Sequence, residues 1–294
     1  MGFSALEEMG RRAAERNQPL WQVIFEDDCV YSQMEPQASW KQMQDMYRAM
    51  KEADASYQEE LVSASGLVGG DGGRMARRVA QGRCLCGPFL GRVMERALKM
   101  AENNACMKRI VAAPTAGSCG VLPAILLTYE ETFHPEEHKI LEALYVAAGV
   151  GGVVASRSSI SGARGGCQAE VGTSSAMAAA AVACLEGGST EAIFHGAAMA
   201  LKNLLGLVCD PVAGLVEVPC VKRNVVGAVN ALSAADMALA GIRSAIPPDE
   251  VIDAMRDVGD RMCAELRETG KGGLADTPTG RTVRERMEKR SLQP

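Results

Sequence analysis

The feature that most constrains this fold is a long middle segment with almost no charge. Within residues 110–245, only 18 of 136 residues are Asp, Glu, Lys or Arg, about 13 %, against 23 % for the whole chain. So few charged groups cannot cover an exposed surface of that length. We therefore expect most of the segment to be buried, in its own core or against another chain.

The residue types favour helices packed on helices. Aromatic residues make up 4 % of the chain, whereas Ala, Gly and Met are abundant, and small side chains let helices approach closely. Neither a strand–turn–helix alternation nor a long internal repeat stands out. The sequence predicts a mainly α, single compact helical domain with glycine-rich loops and few or no strands, residues 215–221 being a candidate short strand.

Apolar spacing and capping residues predict where the helices lie. A capping box at Ser4 and Glu7 opens the first one. Glycines at 66, 69, 70, 72 and 73 predict a loop over 63–73, and the tail after 270 is basic and turn-rich. The predicted helices are 4–16, 39–61, 122–133, 139–148, 174–185, 191–205, 225–242 and about 247–268.

Charge and cysteine content limit the class of protein. A formal charge of −5 and a pI near 5.4 argue against nucleic acid as a partner. Residues 110–129 are uncharged, but Pro114 and Pro123 within them indicate buried core and no membrane. Acidic Glu7 and Glu8 lie where a secretory leader would turn apolar, so the ten cysteines are expected as thiols in a cytoplasmic protein.

Most familiar catalytic motifs are absent from the sequence. It contains no P-loop, no G-x-G-x-x-G, no G-x-S-x-G and no C-x-x-C. Of three histidines, His134 and His138 flank Pro135 at a helix start, and His195 sits in an apolar run typical of a core histidine. A hydrolase triad or a zinc enzyme therefore has few candidate residues.

Three cysteines stand in irregular surroundings. Cys167, Cys209 and Cys220 are each flanked by glycine or proline. An iron–sulfur cluster needs converging thiolates and backbone N–H groups directed at the sulfurs, and three thiolates would leave one iron of a cubane open. On spacing alone, ordinary buried thiols remain the alternative.

The segments around these cysteines resemble a known family. Residues 113–118 (APTAGS), 165–172 (GGCQAEVG) and 206–224 (GLVCDPVAGLVEVPCVKRN), with 65–71 and 277–280, are similar to signatures of iron–sulfur-dependent L-serine dehydratase. The likeness is to the alpha subunit of the two-subunit bacterial form, and it covers nearly the whole chain.

This resemblance implies a lyase of amino-acid degradation and gluconeogenesis that converts L-serine to pyruvate and ammonia. It implies a [4Fe–4S] cluster on Cys167, Cys209 and Cys220, whose open iron acts as Lewis acid for loss of the 3-hydroxyl. It also implies a separate beta subunit that completes the enzyme. The chain then divides into a helical part of about 1–105, a cluster-binding core of about 106–245, and a C-terminal helix and tail of about 246–294.

Two polar loops are expected to bind the substrate. The predicted substrate-binding residues are Ser63, Ser65, Gly66, Thr115, Gly117, Ser118 and Asn224. The general base is not identified, and it could lie in the beta chain. The catalytic candidates are Ser65, Thr115, Ser118, Lys222 and His195.

Three alternatives to a serine dehydratase stay open at this point. A cluster-dependent L-cysteine desulfidase eliminates sulfide by similar chemistry. A non-catalytic helical or cluster-carrying subunit predicts no lyase activity that depends on the three cysteines. Pyridoxal phosphate catalysis needs a Schiff-base lysine, and Lys202 and Lys222, the lysines between Ile140 and Lys271, lie in no recognisable motif.

Overall fold

The predicted helical architecture is confirmed. The computed structural model describes residues 2–291, and within that range the chain forms thirteen α-helices and no strand. The β pairing within residues 2–291 consists of an isolated bridge between Cys209 and Arg267. The helices are α1 Leu6–Arg16, α2 Leu20–Ser32, α3 Pro36–Ala55, α4 Asp71–Ala80, α5 Gly87–Ala105, α6 Val121–Phe133, α7 Glu137–Arg157, α8 Gly162–Gly165, α9 Thr173–Leu185, α10 Thr190–Lys202, α11 Cys220–Leu239, α12 Pro248–Arg261 and α13 Pro278–Ser291.

Helix α9 forms the centre of the molecule. It packs against α6, α7, α10 and α11, and every residue in 173–183 is buried. The run is rich in alanine, which lets four neighbours approach it closely. The expected burial of the low-charge middle segment is therefore confirmed.

Helix α7 is the one described helix that is long and apolar enough to cross a membrane. Two thirds of its most apolar window (67 %) is buried inside the fold. It contacts α2, α3, α9 and α12, so its apolar side chains pack against protein in this structure.

The first helix is capped differently from the prediction. It begins at Leu6, and Ser4 contacts Glu8 instead of forming a capping box with Glu7. The carboxylate of Asp249, at the start of α12, accepts the N–H groups of Leu6 and Glu7 at 2.8 and 3.0 Å. A residue 243 positions away therefore caps α1, and local sequence could not reveal it.

Two predicted segments need correction in the N-terminal part. The helix expected at 39–61 is Pro36–Ala55, and α2 was not predicted. The glycine-rich loop ends at 70, because α4 begins at Asp71 and includes Gly72 and Gly73. The Glu102 carboxylate accepts the N–H groups of Asp71 and Gly72, and an anion at a helix N-terminus stabilises a start that glycine disfavours.

The C-terminal part also differs from the prediction. Residues 215–221 form no strand, since Cys220 already begins α11. The helix expected to reach about residue 268 ends at Arg261, and the tail contains α13. The division of the chain into parts at about residues 105 and 245 stays a prediction. Helix α1, from the first part, packs on α10 of the second part and α12 of the third.

Candidate functional site

The fold brings together three cysteines that are far apart in the sequence. Cys167 lies at the start of a π-helical turn, Gln168–Gly172, that runs into α9. Cys209 lies in the segment after α10, and Cys220 is the first residue of α11. Their exposures are 2 %, 3 % and 9 %. Cys167 and Cys220 thus lie at the starts of helical segments, not in loops as predicted.

The three thiols influence one another electrostatically. Burial raises the pKa of Cys167 to about 11 and that of Cys220 to about 12, and the charge of Cys167 contributes to the second shift. Burial, Cys167 and Glu170 raise the pKa of Cys209 still further above its ordinary value. Three buried thiols that disfavour one another's charge are stabilised as thiolates by a bound cation or metal centre.

Arg223, in the first turn of α11, joins the three cysteine segments. Its guanidinium donates to the carbonyl of Val208 at 2.7 Å and to the carboxylate of Asp210 at 2.9 Å, on either side of Cys209. Its positive charge also lies close enough to Cys167 to lower the pKa of that thiol, against the larger effect of burial. Arg223 therefore supplies positive charge near the thiols.

A partly buried and a buried carboxylate connect the cysteines to the two polar loops. Glu170 follows Cys167 by three residues, and Glu217 precedes Cys220 by three residues. Each carboxylate accepts hydrogen bonds from hydroxyl groups of one of the loops that were predicted to bind substrate. Neither glutamate was predicted as a site residue.

In the first loop, the predicted serines bond to Glu217. Ser63 donates to its carboxylate at 2.5 Å, Ser65 donates to the same oxygen, and both serines are buried. Gly66 is exposed, with a φ of +77° that favours glycine. Arg286 of α13 donates to the Ser65 carbonyl and holds the loop in place.

In the second loop, Thr115 donates to Oε1 of Glu170 at 2.8 Å. A Cβ at Gly117 would lie 3.2 Å from that same oxygen, so the absence of a side chain there lets the carboxylate approach. Ser118 is fully buried and makes long contacts of 3.3 to 3.5 Å with Thr115 and the Ala113 carbonyl. Burial raises the pKa of Glu170, and the nearby Glu268 carboxylate adds to the shift.

The other predicted residues have internal partners. Asn224 is buried, and its amide bonds to Gly120, Gly117 and Cys220, so it ties α11 to the second loop. Lys222 forms an ion pair with Asp71 at the start of α4. The Nδ1 atom of His195 accepts the N–H of Ser244 at 3.2 Å, as expected of a core histidine.

The donor set fits an iron–sulfur cluster. Among residues 2–291, no three His, Cys, Asp or Glu side chains are close enough to bind a single metal ion. The thiolates of a cubane bind different irons, so they need to surround a volume and not one point. Three buried thiols whose charges influence one another, with the Arg223 guanidinium nearby, supply the thiolate ligands that such a cluster needs.

Comparison with known proteins gives consistent results. The family described as "Serine dehydratase alpha chain" matches residues 15–275. The chain is 48 % identical over 271 residues to the "Probable L-serine dehydratase, alpha chain" of Bacillus subtilis, covering 90 % of each chain. It is 39 % identical over 271 residues to the "L-serine dehydratase, alpha chain" of Peptoniphilus asaccharolyticus, covering 92 % of this chain and 93 % of that one.

A longer relative matches a shorter part of the chain. The "L-serine dehydratase 1" of Escherichia coli is 45 % identical over 183 residues, which are 61 % of this chain and 40 % of that protein.

Proposed function

The chain belongs to the serine dehydratase alpha-chain family, and from that premise we propose that it is the catalytic subunit of an L-serine ammonia-lyase that forms pyruvate and ammonia. The observation that carries this proposal is the convergence of Cys167, Cys209 and Cys220, three buried thiols from distant segments. Ordinary packing does not require three thiols to cluster, and their raised pKa values keep them protonated unless a bound metal centre stabilises the thiolates.

These three cysteines hold the [4Fe–4S] cluster in this proposal. When bound, a cluster with one iron free of a thiolate supplies a Lewis acid for loss of the 3-hydroxyl, which is otherwise a poor leaving group. Arg223 offsets part of the negative charge that three thiolates bring into a buried site.

The two polar loops position L-serine beside the cysteines. The hydroxyls of Ser63, Ser65 and Thr115 are donors whose acceptors are carboxylates at the site. Rotation of the Ser63 or Ser65 hydroxyl toward a substrate carboxylate needs no backbone movement. Gly66, Gly117 and Ser118 supply backbone or hydroxyl contacts in the same loops, and Asn224 holds the second loop on α11.

A beta subunit completes the enzyme in this proposal. The relatives named alpha chain support a second chain, and the longer Escherichia coli protein, of which this chain covers 40 %, is consistent with a fused arrangement. All ten cysteines are free thiols in the structure, which supports the cytoplasmic location proposed here.

The direct test is turnover of two substrates by protein made anaerobically with its partner chain. We expect pyruvate and ammonia from L-serine, with turnover lost in Cys209→Ala and retained in Cys119→Ala, a buried cysteine that bonds to the Met100 carbonyl. A protein that releases sulfide from L-cysteine and leaves L-serine intact would replace the proposal with a desulfidase. Serine turnover by a metal-free protein would refute the cluster mechanism.

A further inference from the structure

The carboxylate of Glu170 lies between the cysteines and the second polar loop. A Cβ built at Gly162 would lie 2.8 Å from its Oε2 and 3.0 Å from the sulfur of Cys209, so oxygen and sulfur are near neighbours across this glycine. A Cβ at Gly117 would approach its Oε1 at 3.2 Å. An oxygen of Glu268 would also lie 3.2 Å from the Cβ built at Gly162, so the Glu170 carboxylate has Cys209 and a second carboxylate as neighbours at this glycine.

The two oxygens of Glu170 have different surroundings. Oε1 accepts the hydroxyl of Thr115 at 2.8 Å, which fixes the orientation of the carboxylate. Oε2 receives no hydrogen bond from the described residues, and no Lys or Arg of that range forms an ion pair with Glu170. The buried carboxylate of Glu95, by contrast, is neutralised by Arg92 and Lys99. Within the described residues, Oε2 is therefore an acceptor whose hydrogen-bonding capacity is available to a substrate.

Neither other candidate base has this arrangement. Glu217 is 4 % exposed, and two serine hydroxyls cover one of its oxygens. His195 has its Nδ1 occupied by the N–H of Ser244, at 3.2 Å. Glu170 is only partly buried, so a small substrate can reach it.

We propose that Glu170 is the catalytic base that removes the Cα proton of the substrate, held in position by Thr115. This inference rests on the proposed function. The Cα–H bond breaks and its proton passes to Oε2, the electron pair forms the Cα=Cβ double bond, and the Cβ–O bond breaks. The proton and the departing hydroxide together make up the one water released, and the aminoacrylate left behind tautomerises and hydrolyses to pyruvate and ammonia.

The test uses the anaerobically prepared complex of both chains and compares Glu170→Gln, Glu170→Asp and wild type. In Glu170→Gln, kcat should fall by about 100-fold to 10,000-fold, while KM and the iron and sulfide content stay near wild type. In Glu170→Asp, the shorter base should raise the kinetic isotope effect with L-serine deuterated at Cα. Glu191→Gln, an exposed glutamate paired with Arg243, is the matched control and should keep full activity.

Several results would overturn this assignment. Glu170→Gln could keep its kcat within about threefold of wild type, or lose iron in proportion to activity, which would indicate a structural or ligand role. If Glu170→Gln does not fold, Glu170→Asp decides, and an isotope effect equal to wild type would refute the base. Wild-type protein without serine turnover would instead refute the proposed function, so the two failures are distinguishable.

Discussion

Arg223 is the residue on which the geometry of the cysteine site depends most. One guanidinium donates to a carbonyl and a carboxylate on either side of Cys209, and its charge lowers the pKa of Cys167. Its own helix begins with Cys220. Asp210, its ionic partner, also accepts the N–H of Leu274 at 2.8 Å. Loss of Arg223 would leave a buried carboxylate without its cation.

We predict that Arg223→Gln lowers both stability and iron content. Removing one partner of a buried ion pair costs about 3 kcal/mol or more, and the thiolates lose their nearby positive charge. Arg223→Lys should give intermediate values, because lysine keeps the charge but not the planar fork. Denaturant unfolding and anaerobic iron analysis measure the two effects.

Arg243→Gln provides the control for this experiment. Arg243 is an exposed arginine paired with Glu191 on the surface, and its loss should change the free energy of unfolding by less than about 1 kcal/mol. Equal iron content in Arg223→Gln and Arg243→Gln would contradict the role given to Arg223.

At this scale, sequence reasoning identified the chemistry-bearing residue types but not their partners. The resemblance supplied Cys167, Cys209 and Cys220, and the glycines around them were informative. Glu170 and Glu217 carried no signal that separated them from other glutamates, because their importance comes from contacts with loops 55 and 154 positions away. Whether the predicted residues bind substrate stays a prediction.

At the scale of single elements, helix starts depend on distant carboxylates. Asp249 accepts two N–H groups of α1, and Glu102 does the same for α4. Such contacts explain why the core helices could be predicted from the sequence whereas the start of α4 could not. Capping signals within a few residues are readable, whereas a cap from another helix is not.

We predict that Asp249→Ala destabilises the protein by about 1 kcal/mol, the usual cost of a lost helix cap. The reason is that the N–H groups of Leu6 and Glu7 lose their acceptor. In a chain of this size the melting temperature should fall by about 2 °C. Glu250→Ala, at the exposed neighbouring position, should leave it unchanged, and an equal fall in both variants would contradict the cap.

A second prediction at this scale concerns the close contact between α5 and the start of α6. A Cβ at Gly120 would lie 2.6 Å from the carbonyl oxygen of Ala97, a backbone atom that cannot move away cheaply. Gly120→Ala should therefore lower the free energy of unfolding by about 1–3 kcal/mol. Denaturant titration measures this change.

Gly196 in α10 is the matched comparison. A Cβ there would meet its nearest atom at 3.5 Å, an ordinary contact. Gly196→Ala should be neutral or stabilise by up to about 1 kcal/mol, because alanine favours a helix. A loss of stability in Gly196→Ala as large as that in Gly120→Ala would show that the contact at Ala97 is not the cause.

At the scale of the whole molecule, the low-charge middle segment and the cysteine site belong to the same set of packed helices. The alanine-rich α9 begins where the turn with Cys167 and Glu170 ends, and α11 begins at Cys220 and packs along α9 and α10. Rigid, buried helices therefore hold the cysteine segments. Composition was sufficient to predict this core, since burial follows from the scarcity of charge.

The central claim is that the three cysteines hold one iron–sulfur cluster, and anaerobic iron and sulfide analysis tests it most directly. Wild-type protein should contain about four irons and four sulfides per chain. Cys209→Ala should lose most of both, and Cys119→Ala should keep them. A wild-type protein without iron, or a Cys209→Ala variant that retains the full cluster, would contradict the account.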